Sequence, residues 1–279
     1  MSRKPSLLGR IFTGLSFFFL YAPIFVLIAF SFNSSKSRSI WTGFSLQWYE
    51  ALMENESILN ALRVTLTVSV LASVIAALVG TFAAIGFFNM KRRWRSPLLA
   101  INNIPVMNAD IITGVSLSLL FVAAFAALNK LPFVNFRMGF GTLLIAHVAF
   151  NIPYVILSVM PKLYQLDKNL FEAAQDLGCT WMQAFWKVNI PEIRPGIVNG
   201  LITAFTMSVD DFVISYFTAG SSVETLSMAI YSMTRKKISP EINAISTILF
   251  VTVLLLLILV NVREAHQAKV QARRDKMGG

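Results

Sequence analysis

Six stretches of about 20 or more mostly apolar residues recur along the 279-residue chain, at about 11–32, 64–88, 98–127, 140–161, 196–219 and 243–262. A helix needs about 20 such residues to cross the hydrocarbon core of a bilayer. In lipid the backbone must satisfy its own hydrogen bonds, so a spanning segment of this length is a helix. The pattern predicts an all-α, polytopic membrane protein with six transmembrane helices. The last stretch holds the run from Ile248 to Val260, with only Thr252 as a polar interruption. The first follows Arg3, Lys4 and Arg10, as a signal peptide would. Its apolar core is too long for one, and no small-x-small cleavage site follows at Ser31-Phe32-Asn33, so it reads as a retained anchor.

Composition agrees. Charged residues make up 14% and hydrophobic residues 56%, against roughly 25% charged in soluble proteins. This excludes an ordinary soluble enzyme and a disordered chain. The net charge of +10 does not imply nucleic acid, because the basic residues cluster beside the apolar runs and read as topology signals. With the N-terminus inside, the inside segments hold 16 Lys and Arg and the outside segments 8. That bias predicts an inner-membrane protein with both termini cytoplasmic. Arg235, Lys236 and Lys237 fall outside in this topology, and charge bias does not explain them. One cysteine, Cys179, and two histidines, His147 and His266, exclude a disulfide framework and leave little for metal chemistry.

The chain divides into 1–60 (cytoplasmic tip, first helix, external loop), a five-helix core at 61–262, and a charged tail at 263–279. No Gly-rich phosphate loop of the form G-x-x-x-x-G-K-[ST] is present. If transport uses ATP, another chain must hydrolyse it.

Within the core, the inside segment 167–191 reads as helix, turn, helix. Asp167 can cap the first helix, whose apolar face is Leu170, Phe171, Ala174 and Leu177. Gly178 suits a left-handed terminus. Thr180 can cap a second short helix, which Pro191 is expected to close. Periodicity leaves two readings open, a hairpin lying on the membrane and an element docking a partner. Its wording resembles the E-A-A-x3-G-x9-I-x-L-P signature of the membrane subunits of ATP-binding-cassette importers. Glu172, Ala173, Ala174 and Gly178 match. Val188, Asn189, Ile190 and Pro191 stand where I-x-L-P is usual. The resemblance implies a type I permease fold, with this hairpin as the coupling element seated in a groove of an ATPase subunit.

Three carboxylates fall inside spans: Asp110 in the third, and Asp210 and Asp211 in the fifth. Such residues are costly in a membrane and mark function by default. On the fifth span, Asn199, Thr203, Thr206 and Asp210 form one stripe, and Ser208, Asp211 and Ser215 a second beside it. This broad polar face is expected to line a cavity or a subunit interface. Two alternatives stand. The carboxylates satisfy backbone groups at a helix break or pair with a partner's basic residue, or they form a pathway for a cation, since no Lys or Arg lies within the six spans. A polyamine fits the second, with amines for the carboxylates and methylenes for apolar walls.

Further stretches resemble the permease subunits of spermidine/putrescine importers. They are Ser31 to Ser35, Trp41-x-Gly43-Phe44, Trp48-Tyr49, Met207 to Phe217, Ile230 to Met233 and Ser239 to Ala244. The likeness runs from about residue 11 to 262 and is nearest to the second permease of such systems. It implies a substrate pathway through Trp48, Asp110, Ser208, Asp210 and Asp211. It also implies coupling through Glu172, Ala173, Ala174, Gly178 and Pro191. Implied partners are a homologous permease forming a heterodimer, two ATPase chains that hold ATP and Mg, and an external binding protein. No cofactor is expected on this chain itself. Trp48 and Tyr49 otherwise serve as interfacial anchors. Glu224 and Glu241 solvate a loop or touch the binding protein, and His147 reads as a helix–helix hydrogen-bonding residue. Against the importer stand another substrate in the same class and a proton-coupled carrier using the three aspartates. The coupling hairpin disfavours the carrier, and the lack of a nucleophile–base pair disfavours an enzyme.

Overall fold

The computed structural model describes residues 7–36, 40–130, 135–236, 241–255, 258 and 262. Lys237, His266 and the tail at 263–279 lie outside the described residues. The helices in chain order are α1 (Leu7–Ser31), α2 (Gln47–Glu54), α3 (Glu56–Asn89), α4 (Arg92–Met107), α5 (Asp110–Leu128), α6 (Phe140–Tyr164), α7 (Lys168–Asp176), α8 (Trp181–Ala184), α9 (Ile190–Asp210), α10 (Val213–Thr218), α11 (Leu226–Lys236) and α12 (Glu241–Leu255). A π turn at Phe185–Asn189 joins α8 to α9. The described residues show one isolated antiparallel bridge, between Asn33 and Phe44. Among the described residues, four helices are long and apolar enough to cross a membrane: α1 from Gly9, α3, α5 and α6.

Two predicted spans are not single helices. The stretch at 98–127 is divided into α4 and α5 by Asn108 and Ala109, both in extended conformation. Pro105 lies in the last turn of α4, where the chain can leave the helix. The stretch at 196–219 begins earlier, at Ile190, and is divided into α9 and α10 at Asp211 and Phe212. Neither break shows in hydropathy, because the few polar residues at each are averaged with long apolar runs on either side.

The chain forms two compact units. Among the described residues, one comprises those within 60–229 with 258 and 262, the other those within 7–59 and 230–255. The larger is organised on α6, which buries Leu143, Val155, Ile156 and Val159. Its main partner is α9. A Cβ on Gly196 would stand 2.9 Å from the Ser158 carbonyl oxygen, and one on Gly200 would stand 3.2 Å from Val155 Cα. With Ala204 fully buried, small residues recur every fourth position on α9 and bring the two backbones together, as in membrane helix pairs. Gly80 of α3 approaches Val155 from another side, its Cβ position 2.8 Å from that side chain.

In the smaller unit Asn33 organises the loop after α1. Its Oδ1 accepts from Thr42 N–H at 3.0 Å, its Nδ2 donates to the Ile40 carbonyl at 2.8 Å, and its own carbonyl accepts from Trp48 Nε1 at 2.6 Å. Phe32 stacks on both Phe44 and Tyr49. Near the end of α11 the Arg235 guanidinium lies 5.0 Å from the centre of the Tyr231 ring. The sides of α1 are exposed and aromatic, with Phe12, Phe18, Phe19 and Phe25 all open.

Candidate functional site

Each broken span carries an aspartate where its second half begins. Asp110 is the first residue of α5, and Asp211 lies two residues before α10. The first turns of these two half-helices pack together. A Cβ on Gly114 would stand 3.3 Å from Ile214 Cα and 3.4 Å from the Val213 carbonyl oxygen. Glycine eases this close approach of α5 to α10.

The three carboxylates have different surroundings. Asp211 is turned inward, its side chain 8% exposed. It receives the backbone N–H groups of Ile214 at 3.2 Å and Ser215 at 2.7 Å, and the Ser215 hydroxyl at 2.8 Å. It is the cap of α10 in all but sequence offset, supplying acceptors for orphan N–H groups at a helix start. Asp210 is exposed and ends α9. The negative end of that helix dipole lies beside it, which disfavours a second negative charge and favours a cation. Asp110 is also exposed, but it stands at a helix N-terminus, which favours its charge.

Behind Asp211 lies a polar cluster that is closed to solvent. His147 of α6 is 1% exposed. Its Nδ1 is 2.8 Å from Ser208 Oγ on α9. Its Nε2 is 3.0 Å from Ser215 Oγ on α10 and 3.5 Å from Asp211 Oδ2. Asn151, one turn along α6, donates from Nδ2 to Ser208 Oγ at 3.0 Å, while its Oδ1 is buried without a hydrogen-bond partner. The stripe of Ser208, Asp211 and Ser215, expected on a cavity or interface, is therefore used within the bundle. His147 does bond between helices. Asn151 was missed as a member of the cluster. Its spacing of four from His147 places both on one face of α6, and that was the available signal.

Trp48 is buried in the smaller unit, with its indole N–H bonded to Asn33. Its ring is packed into the loop after α1.

The hairpin forms as its caps dictate. Asn169 N–H donates to Asp167 Oδ1 at 2.9 Å. Gly178 has φ +89°, with nothing within 4 Å of a Cβ placed there. Thr180 and Gln183 make a reciprocal capping box. Pro191 does not close the second helix, contrary to expectation. The chain passes from α8 through the π turn into α9, where Pro191 is the second residue. A proline lacks an N–H and is tolerated in a first turn, and the π turn just before it, closed by Ile190 N–H to the Phe185 carbonyl, relieves the register. Glu172 and Ala173 are exposed. So are the apolar Leu170, Leu177, Trp181 and Trp186, with Leu177 at 87%.

Among the described residues no group of three or more His, Cys, Asp or Glu side chains could hold a metal ion.

Residues 72–270 match the family described as "Binding-protein-dependent transport system inner membrane component". The chain is 38% identical over 236 residues to the putrescine transport system permease protein PotI of Escherichia coli K12, covering 84% of this chain and 83% of that one. It is 34% identical over 256 residues to the spermidine/putrescine transport system permease protein PotC of the same organism, covering 90% and 93%. A solved bacterial transporter for the import of alginate superposes with a TM-score of 0.67 at 16% identity, over 95% of both chains. That likeness shows the fold, that of an importer permease. This chain belongs to the family of binding-protein-dependent inner-membrane transport components, as a multi-pass permease subunit of the type I importer fold.

Proposed function

We propose that this chain is one permease subunit of an ATP-driven importer that moves polyamines from an external binding protein into the cytoplasm. The observation that carries the reading is its likeness to putrescine and spermidine/putrescine permeases, spread over more than four-fifths of the chain. The chemistry supports it. Asp210 is an exposed carboxylate at the negative end of a half-helix, and Asp110 is a second exposed carboxylate at the other break. A polycation with methylene spacers offsets both charges and suits the apolar walls around them. Ser208 and Asp211 shape the break, and Trp48 holds the loop after the first span.

In this reading the chain pairs with a homologous permease as a heterodimer. The hairpin at 167–191, with Glu172, Ala173 and Gly178 exposed, Ala174 half-buried and Pro191 at its exit, docks on one of two ATPase chains, which hold ATP and Mg. Both termini are cytoplasmic. ATP binding draws the hairpins together and opens the pathway outward, and hydrolysis resets it.

The test is uptake of labelled spermidine and putrescine into proteoliposomes holding the complete complex and its binding protein. ATP-dependent accumulation supports the reading. Stimulation of ATP hydrolysis by the binding protein without polyamine uptake would move the substrate elsewhere.

A further inference from the structure

His147 touches both halves of the broken fifth span. Its Nδ1 meets Ser208 before the break, and its Nε2 meets Ser215 and Asp211 after it. The acceptor-only carboxylate of Asp211 sets the direction at the Ser215 end. The single Ser215 hydroxyl proton goes to Asp211 Oδ2 at 2.8 Å, so Ser215 Oγ must accept from His147 Nε2–H. Ser208 Oγ accepts from Asn151 Nδ2 at 3.0 Å, so its own proton is free to go to His147 Nδ1. The result is one directed chain from Asn151 through Ser208, His147 and Ser215 to Asp211. In this arrangement each hydroxyl donates once and accepts once, and His147 Nε2–H is the donor to Ser215. The imidazole, Asn151 and both hydroxyl-bearing residues are 0–2% exposed. The cluster is closed to bulk solvent, and a missing member leaves its neighbours unsatisfied.

We infer that His147 is a positioning residue for transport: it pins α9 to α10 across the break, holds Asp211 inward as the cap of α10, and so leaves Asp210 as the carboxylate of the pair that meets the cation. This rests on the polyamine reading for the name of the cation only. The two adjacent aspartates then have different chemical requirements. Position 211 needs hydrogen-bond acceptors, and asparagine keeps one acceptor oxygen of the two that Asp211 uses. Position 210 needs charge, which asparagine lacks. Asp210 sits on the other side of the link, so a shift of α10 relative to α9 re-aims it.

The experiment compares complete complexes, matched for assembly by size-exclusion chromatography, in proteoliposomes with the binding protein. The variants are Asp210→Asn, Asp211→Asn, Asp211→Ala, His147→Ala and the double variant His147→Ala with Asp211→Ala. Uptake rate against substrate concentration and binding-protein-stimulated ATP hydrolysis are both read. Asp211→Ala and His147→Ala should each lower uptake by a factor of about 5–30, the equivalent of one or two kcal/mol. The double variant should lose no more than the worse single, as expected of residues acting through one another. Asp211→Asn should restore part of what Asp211→Ala loses, and Asp210→Asn should not behave like the wild type. A merely structural role for the cluster does not predict that asparagine works at one aspartate and fails at its neighbour. The inference is overturned if Asp211→Asn is as impaired as Asp211→Ala, or if the losses of the double variant multiply. Should even the wild type take up no polyamine, the substrate reading fails. The same ordering of the position 147 and 211 variants in stimulated ATP hydrolysis would still support the latch, and its absence would sink it.

Discussion

The carboxylate of Asp211 binds Ser215 twice, through the backbone N–H at 2.7 Å and the hydroxyl at 2.8 Å. A charge that looks costly in a membrane span is thus spent on the orphan donors of the half-helix that follows it. Asp210, its neighbour in the chain, makes no such use of its position at the end of α9. Two adjacent carboxylates avoid repulsion by facing different surroundings.

Removing the cap has a predicted cost. Asp211→Ala strips the Ser215 and Ile214 N–H groups of their acceptor. Loss of a cap costs about 1 kcal/mol, and the buried Ser215 hydroxyl loses its acceptor as well. A lower thermal midpoint of the detergent-solubilised complex is expected, with Asp211→Asn lying between the alanine variant and the wild type. An unchanged midpoint in Asp211→Ala would show that the cap bears no weight.

The contact of α6 with α9 tolerates no side chain at Gly196. A Cβ there would stand 2.9 Å from the Ser158 carbonyl oxygen, which is backbone and cannot turn away. Gly196→Val should abolish a monodisperse permease. Gly86→Ala, where nothing lies within 4 Å of the added Cβ, should be close to silent. Recovery after detergent extraction and size-exclusion chromatography distinguishes the two.

The two helix breaks mark the limit of what the residue pattern reveals. Six apolar stretches, the hairpin, both of its caps and the turn at Gly178 follow from spacing and capping chemistry. The divisions at Asn108–Ala109 and Asp211–Phe212 do not, because hydropathy averages across a two-residue interruption. Pro105 and Asn108 hinted at the first. The cluster around His147 was less accessible still. Its partners lie 61 and 68 residues away, and a one-dimensional pattern carries no pairing between faces of different helices. Pro191 misled for a local reason, since a proline that ends one helix and one that enters the next are alike in sequence. The π turn that decides between them depends on the packing of Phe185, which is buried and stacked on Trp181.

At Gly178 the restriction is conformational. The φ of +89° with open space around a Cβ means that a side chain is refused by the backbone and not by a neighbour. Non-glycine residues pay roughly 1–2 kcal/mol in this region, and asparagine less. Gly178→Val should weaken co-purification of the ATPase chains more than Gly178→Asn does, with the permease itself still assembled. Equal retention in both variants would show that the hairpin turn is not needed for docking.

The exposed apolar side of the hairpin gives a last prediction. Leu177 is 87% exposed and Trp181 56%, in a segment whose helices are held by their own caps. A side chain this open adds little to the fold, so Leu177→Asp should leave the permease stable. It places a charge on a surface that the proposed docking makes dry, and an unpaired buried charge is strongly unfavourable. Expected is loss of ATPase binding by at least about tenfold, equivalent to 1.4 kcal/mol, with an unchanged elution profile for the permease pair alone. Membrane docking of the hairpin predicts a different result. There, Leu177→Asp would reduce lipid association of an isolated 167–191 peptide yet spare ATPase binding. Titrating the purified ATPase chains against wild-type and variant permease in detergent separates the two, and unimpaired binding would remove Leu177 from the docking surface.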